Sequence, residues 1–301
     1  MTGGGGPLDA SVVICTRGRP GLALDTVRSI LDGGCVPSEL VVVDQSLEPN
    51  HELAGMGEVR GCHVRYTPSA TTGLSRARNI GLRAATRDVA VMLDDDMLVQ
   101  VAWLERLLAG RGAGRSTVAT GRVLAAPDEG GLSVPAAALV TRATPDVFRG
   151  PQPLDVVPGA NVALSRDLVL SLGGYDERLG AGTRFAAADD NDMGHRLLAA
   201  GCEVRHIPEA VVLHRAHRAQ GELVRLKWRY GRGKGAFYAK HAPRDSHMRR
   251  RVRADVAARA RRAAVSLPRA PRASVAEIVS LAGMTSGALD WLLRAQRGGS
   301  G

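Results

Sequence analysis

Over its first hundred residues the chain alternates short, nearly unbroken apolar runs with longer amphipathic stretches. The segments 11–16, 39–46, 62–67 and 88–93 are β-branched and apolar almost throughout, the pattern of strands buried on both faces. Between them, residues 22–31 and 74–85 carry helical spacing, the second with Ala77, Ile80, Gly81 and Ala84 on one side. This alternation predicts an α/β fold with a Rossmann-like, mostly parallel mixed sheet flanked by helices on both faces. In such sheets ligands bind outside the carboxyl ends of the strands.

Those ends carry charge. The first run delivers Thr16, Arg17 and Arg19, the second Asp44, and the fourth Asp94, Asp95 and Asp96. Three adjacent carboxylates at a strand end require a metal ion, an arginine or a helix N-terminus to neutralise them. Asp96 could also simply cap a helix beginning near Gln100. Alternatively, the Asp-x-Asp spacing of Asp94 and Asp96 offers hard oxygen ligands to Mg²⁺ or Mn²⁺, which in turn holds a diphosphate. Arginines, an acid able to bind ribose and a metal-competent acid pair on one edge make the chemistry of a nucleotide diphosphate pocket. The first run is followed by neither a G-x-x-x-x-G-K-[ST] loop nor a G-x-G-x-x-G loop, which argues against a P-loop NTPase and a dinucleotide enzyme. Further on, "DDNDMGHRLLAAG" reads as a helix with Asp189, Asp190 and Asp192 in its first turn. The helix dipole favours carboxylates there, so capping alone is one account of them.

In order and spacing, "SVVICTRGRP", "VVVDQS", "GLSRARNIGLRAA" and "VMLDDD" resemble the nucleotide-binding half of family 2 glycosyltransferases, which have the GT-A fold. "PGANVALSRDLVLSLGGYDERLGAGT" and "AADDNDMGHRLLAAGCEVRHIPEAVVLH" resemble the family's acceptor-side segment, its Glu-Asp-x-Asp helix and its terminal histidine, so that the likeness covers about residues 10–214. The resemblance implies an inverting enzyme that moves a sugar from a nucleotide-diphosphate sugar to an acceptor hydroxyl with help from Mn²⁺ or Mg²⁺. It implies that Thr16, Arg17 and Arg19 line the base and phosphate side, that Asp44 contacts the base or ribose, and that Arg78 and Asn79 brace the nucleotide. Asp94 and Asp95 would meet the donor; Asp94, Asp96 and His214 would be the metal ligands, Asp96 foremost. Asn161 and the turn Gly173-Gly174-Tyr175-Asp176 would shape the sugar and acceptor side. Asp190 matches the family's general base, and Asp189 stands where the family usually has Glu, one methylene shorter; it would orient Asp190 or touch the acceptor. A sugar-nucleotide binder without catalysis and a sugar-1-phosphate nucleotidyltransferase are the alternatives, the latter lacking its Gly-rich, Lys-containing N-terminal loop.

Charge adds a second region. The net charge of +10 over 301 residues is uneven: residues 1–214 hold 20 Lys/Arg against 25 Asp/Glu, and residues 215–272 hold 18 against 3. That shift predicts a lead-in at 1–9, a catalytic domain at 10–214 divided into a nucleotide half (10–99) and an acceptor half (100–214), and a basic helical extension at 215–301. Within the extension Met248, Val252, Val256, Ala260 and Ala263 form a weak stripe interrupted by Arg259. Ile278, Leu281, Ala282, Leu289, Leu292 and Leu293 share a later helical face. The extension either packs on the acidic domain or holds the protein on anionic lipid near a lipid-linked or glycan acceptor. No recognised nucleic-acid motif accompanies the basic charge, so no nucleic-acid partner is expected. The four scattered cysteines form no C-x-x-C pair, and the polar start does not read as a signal peptide. Both features suggest a cytoplasmic protein, with the inner membrane face as the site of any lipid contact.

Overall fold

A computed structural model describes residues 6–127, 134–135, 139–215, 217–218, 223–268 and 270–298. The chain runs through β1 (Leu8–Thr16), α1 (Pro20–Leu31), β2 (Pro37–Asp44), α2 (His51–Ala54), β3 (Glu58–Val59), β4 (Cys62–Pro68), α3 (Leu74–Ala84) and β5 (Val89–Asp94). It continues with β6 (Met97–Val99), α4 (Trp103–Arg111), β7 (Thr117–Ala125), β8 (Val134–Pro135), β9 (Asp146–Arg149), β10 (Val162–Ser165) and α5 (Arg166–Ser171). Then follow α6 (Asp189–Ala199), β11 (Glu203–His214), β12 (His217–Arg218), α7 (Leu223–His241), α8 (Ser246–Ser266) and α9 (Pro271–Gly298). The first strand begins two residues before the predicted domain start, so Leu8 and Asp9 belong to the sheet and not to a lead-in.

The main sheet runs β3-β4-β2-β1-β5-β10-β7-β11-β6, with β9 paired to β11. Strands β4, β2, β1 and β5 are parallel, while β10 lies antiparallel between β5 and β7. This is the mixed, mostly parallel sheet that the apolar runs predict. Side-chain alternation sorts β1 between two cores: Val12 and Ile14 pack with Val27, Ile30 and Leu107 on one face. Val13 and Cys15 pack with Ala77, Leu82 and Leu197 on the other. A Cβ at Gly81 would lie 2.3 Å from Val13 Cγ1, which is why α3 can sit directly on the sheet. The four cysteines are unpaired, and burial pushes the Cys15 thiol up to about 12, so it behaves as a small apolar residue.

The three terminal helices are attached to this domain by close backbone contacts. Gly231 and Gly235 on α7 face Gly283 and Gly287 on α9. A Cβ at Gly235 would lie 1.9 Å from Met284 O, and one at Gly287 would lie 2.0 Å from Arg232 O. Glycine weakens an isolated helix, and here it allows two helix backbones to touch. On its other side α7 meets the domain, where a Cβ at Gly233 would lie 2.6 Å from Ala187 O. The expected stripe on α8 is only partly inward: Met248 and Ala263 are buried, whereas Val256 is 41% exposed. The inner face is completed instead by Arg251, Asp255 and Arg259, each satisfied by an ion pair. Among the described residues of α9, Ser274, Ser280, Gly283, Met284, Gly287 and Trp291 are buried, and the large residues Ile278, Leu289, Leu292 and Leu293 lie exposed.

Gly235→Ala should therefore force α7 from α9 and lower stability by about 1–3 kcal/mol, the usual cost of overpacking. Gly21→Ala, where an added Cβ meets nothing within 4 Å, should be neutral or slightly stabilising. Thermal unfolding of the two variants checks the contrast.

Candidate active site

The chain leaves β1 toward β2 on one side and later returns to β5 on the other, so the ends of β1 and β5 border a topological switch point. Register places Cys15 beside Asp94 and Thr16 beside Asp44, which brings the charged ends together. Two arginines neutralise the acid triplet. Arg19, with a side chain 47% exposed, donates from Nη2 to Asp95 Oδ1 and from Nη1 to Asp96 Oδ2, the latter at 2.8 Å. Thr16 Oγ1 donates to Asp95 Oδ2 at 2.6 Å, and Thr26 Oγ1 donates to the Asp95 carbonyl at 2.8 Å. His214, at the end of β11, sets Nε2 3.3 Å from Asp96 Oδ1. Asp96 does not cap α4, which starts at Trp103 with Ala102 as its N-cap residue.

Arg78 is the second arginine, and its side chain is only 4% exposed. It donates from Nη1 to Asp189 Oδ2, and from Nη2 to Asp94 Oδ1 at 3.1 Å and to the Gly159 carbonyl at 2.7 Å. The Tyr175 ring lies under its guanidinium, 5.2 Å from centroid to Cζ. Burial alone would lower the proton affinity of Arg78, but Asp189 and Asp94 reverse the effect and raise it. The three acids respond differently to the same neighbourhood. Burial raises Asp94 despite Arg78, and raises Asp95 to about 6 despite Arg19 and Thr16. Burial also pushes Asp96 up, yet the hydrogen bond and charge of His214, with Arg19, bring it below the usual carboxylate range.

Asp189 and Asp190 open α6 from a left-handed residue, Ala188, with φ 69°. A non-glycine residue in that region is strained, and Ala188 is held there by packing against Phe237, Tyr238 and Met284 from the terminal helices. Asp190 lies in the cavity with its Oδ1 accepting from the Asn191 amide at 2.8 Å. Burial pushes its carboxyl up to about 7, with the negative charges of Asp189 and Asp155 adding to the effect. Asp192 points away and is fully buried, bound by Lys240 at 2.6 Å and His241 at 2.7 Å. That acid attaches the tail.

The remaining predicted residues divide. Asp44 stands at the site's edge, accepting from the Ser46 amide at 2.8 Å and from the Tyr66 hydroxyl at 2.6 Å. Arg17, which follows Thr16 in sequence, is exposed and does not join the carboxylates as Arg19 does. Asn79 does not face the cavity. It is buried, donating to the Tyr175 carbonyl at 2.9 Å and accepting from the Tyr175 amide at 2.7 Å, so it fixes the Gly173–Asp176 turn. Asn161 is likewise removed from the site: it is 0% exposed, accepts from Trp103 Nε1 at 2.7 Å, and donates to the carbonyls of Arg122 and Ala210. The interior strands β7, β10 and β11 leave polar groups that need a partner, and Asn161 supplies it.

A cavity of about 1040 Å³ joins Asp94, Arg78 and Asp190 to the terminal helices, which contribute Lys227, Lys234, Tyr238 and Arg259 to its wall. Lys234 Nζ contacts Asp155 at 2.5 Å and Asn191 Oδ1 at 3.0 Å, next to Asp190. Sequence reasoning missed both Lys234 and Asp155. The signal for Lys234 lay in "GRGKGAF", three glycines inside a helix, a costly choice unless something must come close; Asp155 carries no such signal.

As ligands for a cation, Asp94, Asp96 and His214 have suitable chemistry, hard carboxylate oxygens and an imidazole. His214 Nδ1 is buried without a hydrogen-bond partner. Among the described residues no three His, Cys, Asp or Glu side chains converge as a ligand set, and Arg19 holds an oxygen of Asp96.

The sheet order, the acids at the switch point and the acid-led helix across the cavity define a GT-A type architecture, that of glycosyltransferases. The chain belongs to glycosyl transferase family 2, whose sequence model matches residues 11–172. It is similar to the pre-mycofactocin glycosyltransferase of Mycobacterium tuberculosis, 28% identical over 187 residues that make up 60% of this chain and 38% of the relative. It is also similar to the glucosyl-dolichyl phosphate glucuronosyltransferase of Haloferax volcanii, 28% identical over 189 residues and 58% of each chain. The chain thus spans less than two thirds of the length of these relatives. Among solved structures it resembles a mannosyltransferase of Pyrobaculum calidifontis in complex with GDP-Man and Mn²⁺, with a TM-score of 0.58, 18% identity, and coverage of 97% of this chain and 80% of that one.

Arg78→Met should leave Asp94 and Asp189 as unpaired charges and cost about 3–5 kcal/mol at neutral pH. The deficit should shrink as the pH falls, because burial already raises Asp94 and its protonation removes that uncompensated charge. Urea unfolding of wild type and variant at pH 7 and pH 4.5 tests both parts.

Proposed function

We propose that the protein is an inverting glycosyltransferase that moves a sugar from a nucleotide-diphosphate donor to an acceptor hydroxyl. The observation that carries this reading is the opposition, across one cavity, of Asp94 at the sheet edge and Asp190 at the start of α6, with Arg78 tying the two sides. The donor's base and ribose would lie along Thr16, Arg17 and Asp44, with its diphosphate toward Arg19 and the acid triplet. Asp94, Asp96 and His214 would hold Mn²⁺ or Mg²⁺, and such an ion supplies positive charge for the departing diphosphate. Arg19, being half exposed, can release Asp96 as the donor binds.

Asp190 takes the proton from the acceptor hydroxyl as that oxygen attacks the anomeric carbon from the face opposite the leaving group. Its raised proton affinity suits a base operating near neutral pH. Asp189, already engaged by Arg78, keeps its neighbour oriented. The acceptor enters from the side of the terminal helices, where Lys227, Lys234 and Arg259 face the acids of the floor. Its hydroxyl belongs to a lipid-linked or glycan molecule, and the lipid-linked reading is supported by the name of the Haloferax volcanii relative, a glucosyl-dolichyl phosphate glucuronosyltransferase.

Three outcomes test the assignment. Calorimetry with UDP, GDP and dTDP should give binding that strengthens with Mn²⁺ in wild type and loses that dependence in Asp96→Ala; equal affinity with and without the ion in both proteins would remove the metal from the account. Asp190→Asn should keep donor affinity while kcat falls by roughly 10²- to 10⁴-fold, with a smaller loss for Asp189→Asn. Because the base must be unprotonated, wild-type kcat/KM should rise with pH and level off above about 7. A profile already flat at pH 5 would place the base elsewhere.

A further inference from the structure

Helix α9 is inverted relative to an ordinary surface helix. Val275, Ile278, Leu289, Leu292 and Leu293 are 46%, 54%, 57%, 44% and 58% exposed. With the exposed Ala282 and Thr285 they follow the spacing 275, 278, 282, 285, 289, 292, an uncharged stripe along the outer side. The acids of the same helix turn inward. Glu277 meets Arg262 at 3.3 Å and Arg259 at 3.5 Å, and Asp290 meets Arg232 at 2.6 Å and Arg294 at 3.0 Å.

The exposed charges of the two helices packed against α9 are one-sided. Arg225, Arg229, Arg249, Arg250, Arg253 and Arg261 are among the exposed residues of α7 and α8. Among the described residues of the three helices and their connections, none of the four acids is exposed. Asp245, Asp255, Glu277 and Asp290 have side chains 29%, 21%, 17% and 16% accessible, and each is held by an ion pair or a cap. The acids at the domain boundary absorb Lys234, Lys240 and His241, and none among the described residues pairs with these outer arginines.

We propose that the outer face of α9 seats in the interface of an anionic lipid bilayer, with the exposed arginines of α7 and α8 on the headgroups. A second copy of the chain would match the apolar stripe, but would bring two sets of unbalanced arginines together. A nucleic acid would match the arginines and leave the stripe in water. An anionic bilayer offers both negative headgroups and an apolar layer beneath them. Among the described residues no helix is long and apolar enough to cross a membrane, which is consistent with a helix lying along the surface. The inference does not rest on the catalytic reading. If both hold, the cavity wall formed by these helices opens close to the lipid.

The test is co-sedimentation of the full chain with vesicles of phosphatidylcholine alone or mixed with phosphatidylglycerol, at low and high salt, without donor or acceptor. Wild type should bind the mixed vesicles, bind pure phosphatidylcholine weakly, and lose affinity as salt rises. Ile278→Glu with Leu289→Glu should reduce partitioning at least tenfold while leaving the thermal midpoint and nucleotide binding unchanged. Should that pair disturb folding, Leu289→Gln with Leu292→Gln gives the same comparison with a milder change. The proposal fails if wild type stays in the supernatant, or if folded variants bind as wild type does. Analytical ultracentrifugation showing a wild-type dimer that the substitutions dissociate would assign the face to a second copy and overturn it equally.

Discussion

The site is organised around the charge of Arg78. A guanidinium taken out of water is costly unless its donors are met by good acceptors, and here they are met by a carboxylate from β5, a carboxylate from α6 and the carbonyl of Gly159. Each of those groups would be unfavourable at its position without the others. Asp94 and Asp189 carry like charges into one cavity, and the arginine between them makes their approach possible. Arg19 plays the corresponding part for Asp95 and Asp96 but lies half in solvent. One arginine is therefore enclosed by its acceptors, and the other remains open to water.

The same constraint explains why the terminal helices belong to the site. Asp190 is raised by burial and by Asp155, and Asp155 is itself held by Lys234 and Arg251 from α7 and α8. Ala188, the strained residue that aims Asp189 and Asp190, rests against Phe237, Tyr238 and Met284. A basic extension that reads as an appendage in sequence is, in three dimensions, a wall of the cavity and a support for its acids. Sequence reading offered packing or lipid contact as alternatives; the structure shows inward packing and leaves one apolar side of α9 exposed.

Much of this was legible beforehand, and for local reasons. Buried parallel strands must be continuously apolar, so β1, β2, β4 and β5 are visible in the sequence to within a few residues, and the charged residues that follow them fall at the sheet edge. The failures have the opposite character. Asn161 and Asn79 sit in motifs that resemble site segments, yet their amides satisfy backbone groups of distant strands and turns, which no spacing reveals. The stripe on α9 was visible as periodicity, but periodicity does not say which face is buried. There the glycines decided it, since backbone contact at Gly283 and Gly287 turns the bulky side chains outward.

The separation along the chain of the groups that meet at Arg78 bears on how the protein folds. Its contact with Asp189 closes 111 residues of chain, and the contact between Lys234 and Asp155 closes another 79. Closing such loops costs chain entropy before the contact returns anything, so these pairings belong late in folding, after the parallel strands have formed. On a ribosome the strands β1, β2, β4 and β5 can assemble while the acids of α6 are still unsupported. The complete cavity forms only after α7, α8 and most of α9 have been synthesised, so that an incomplete chain with an intact sheet still lacks one of its walls.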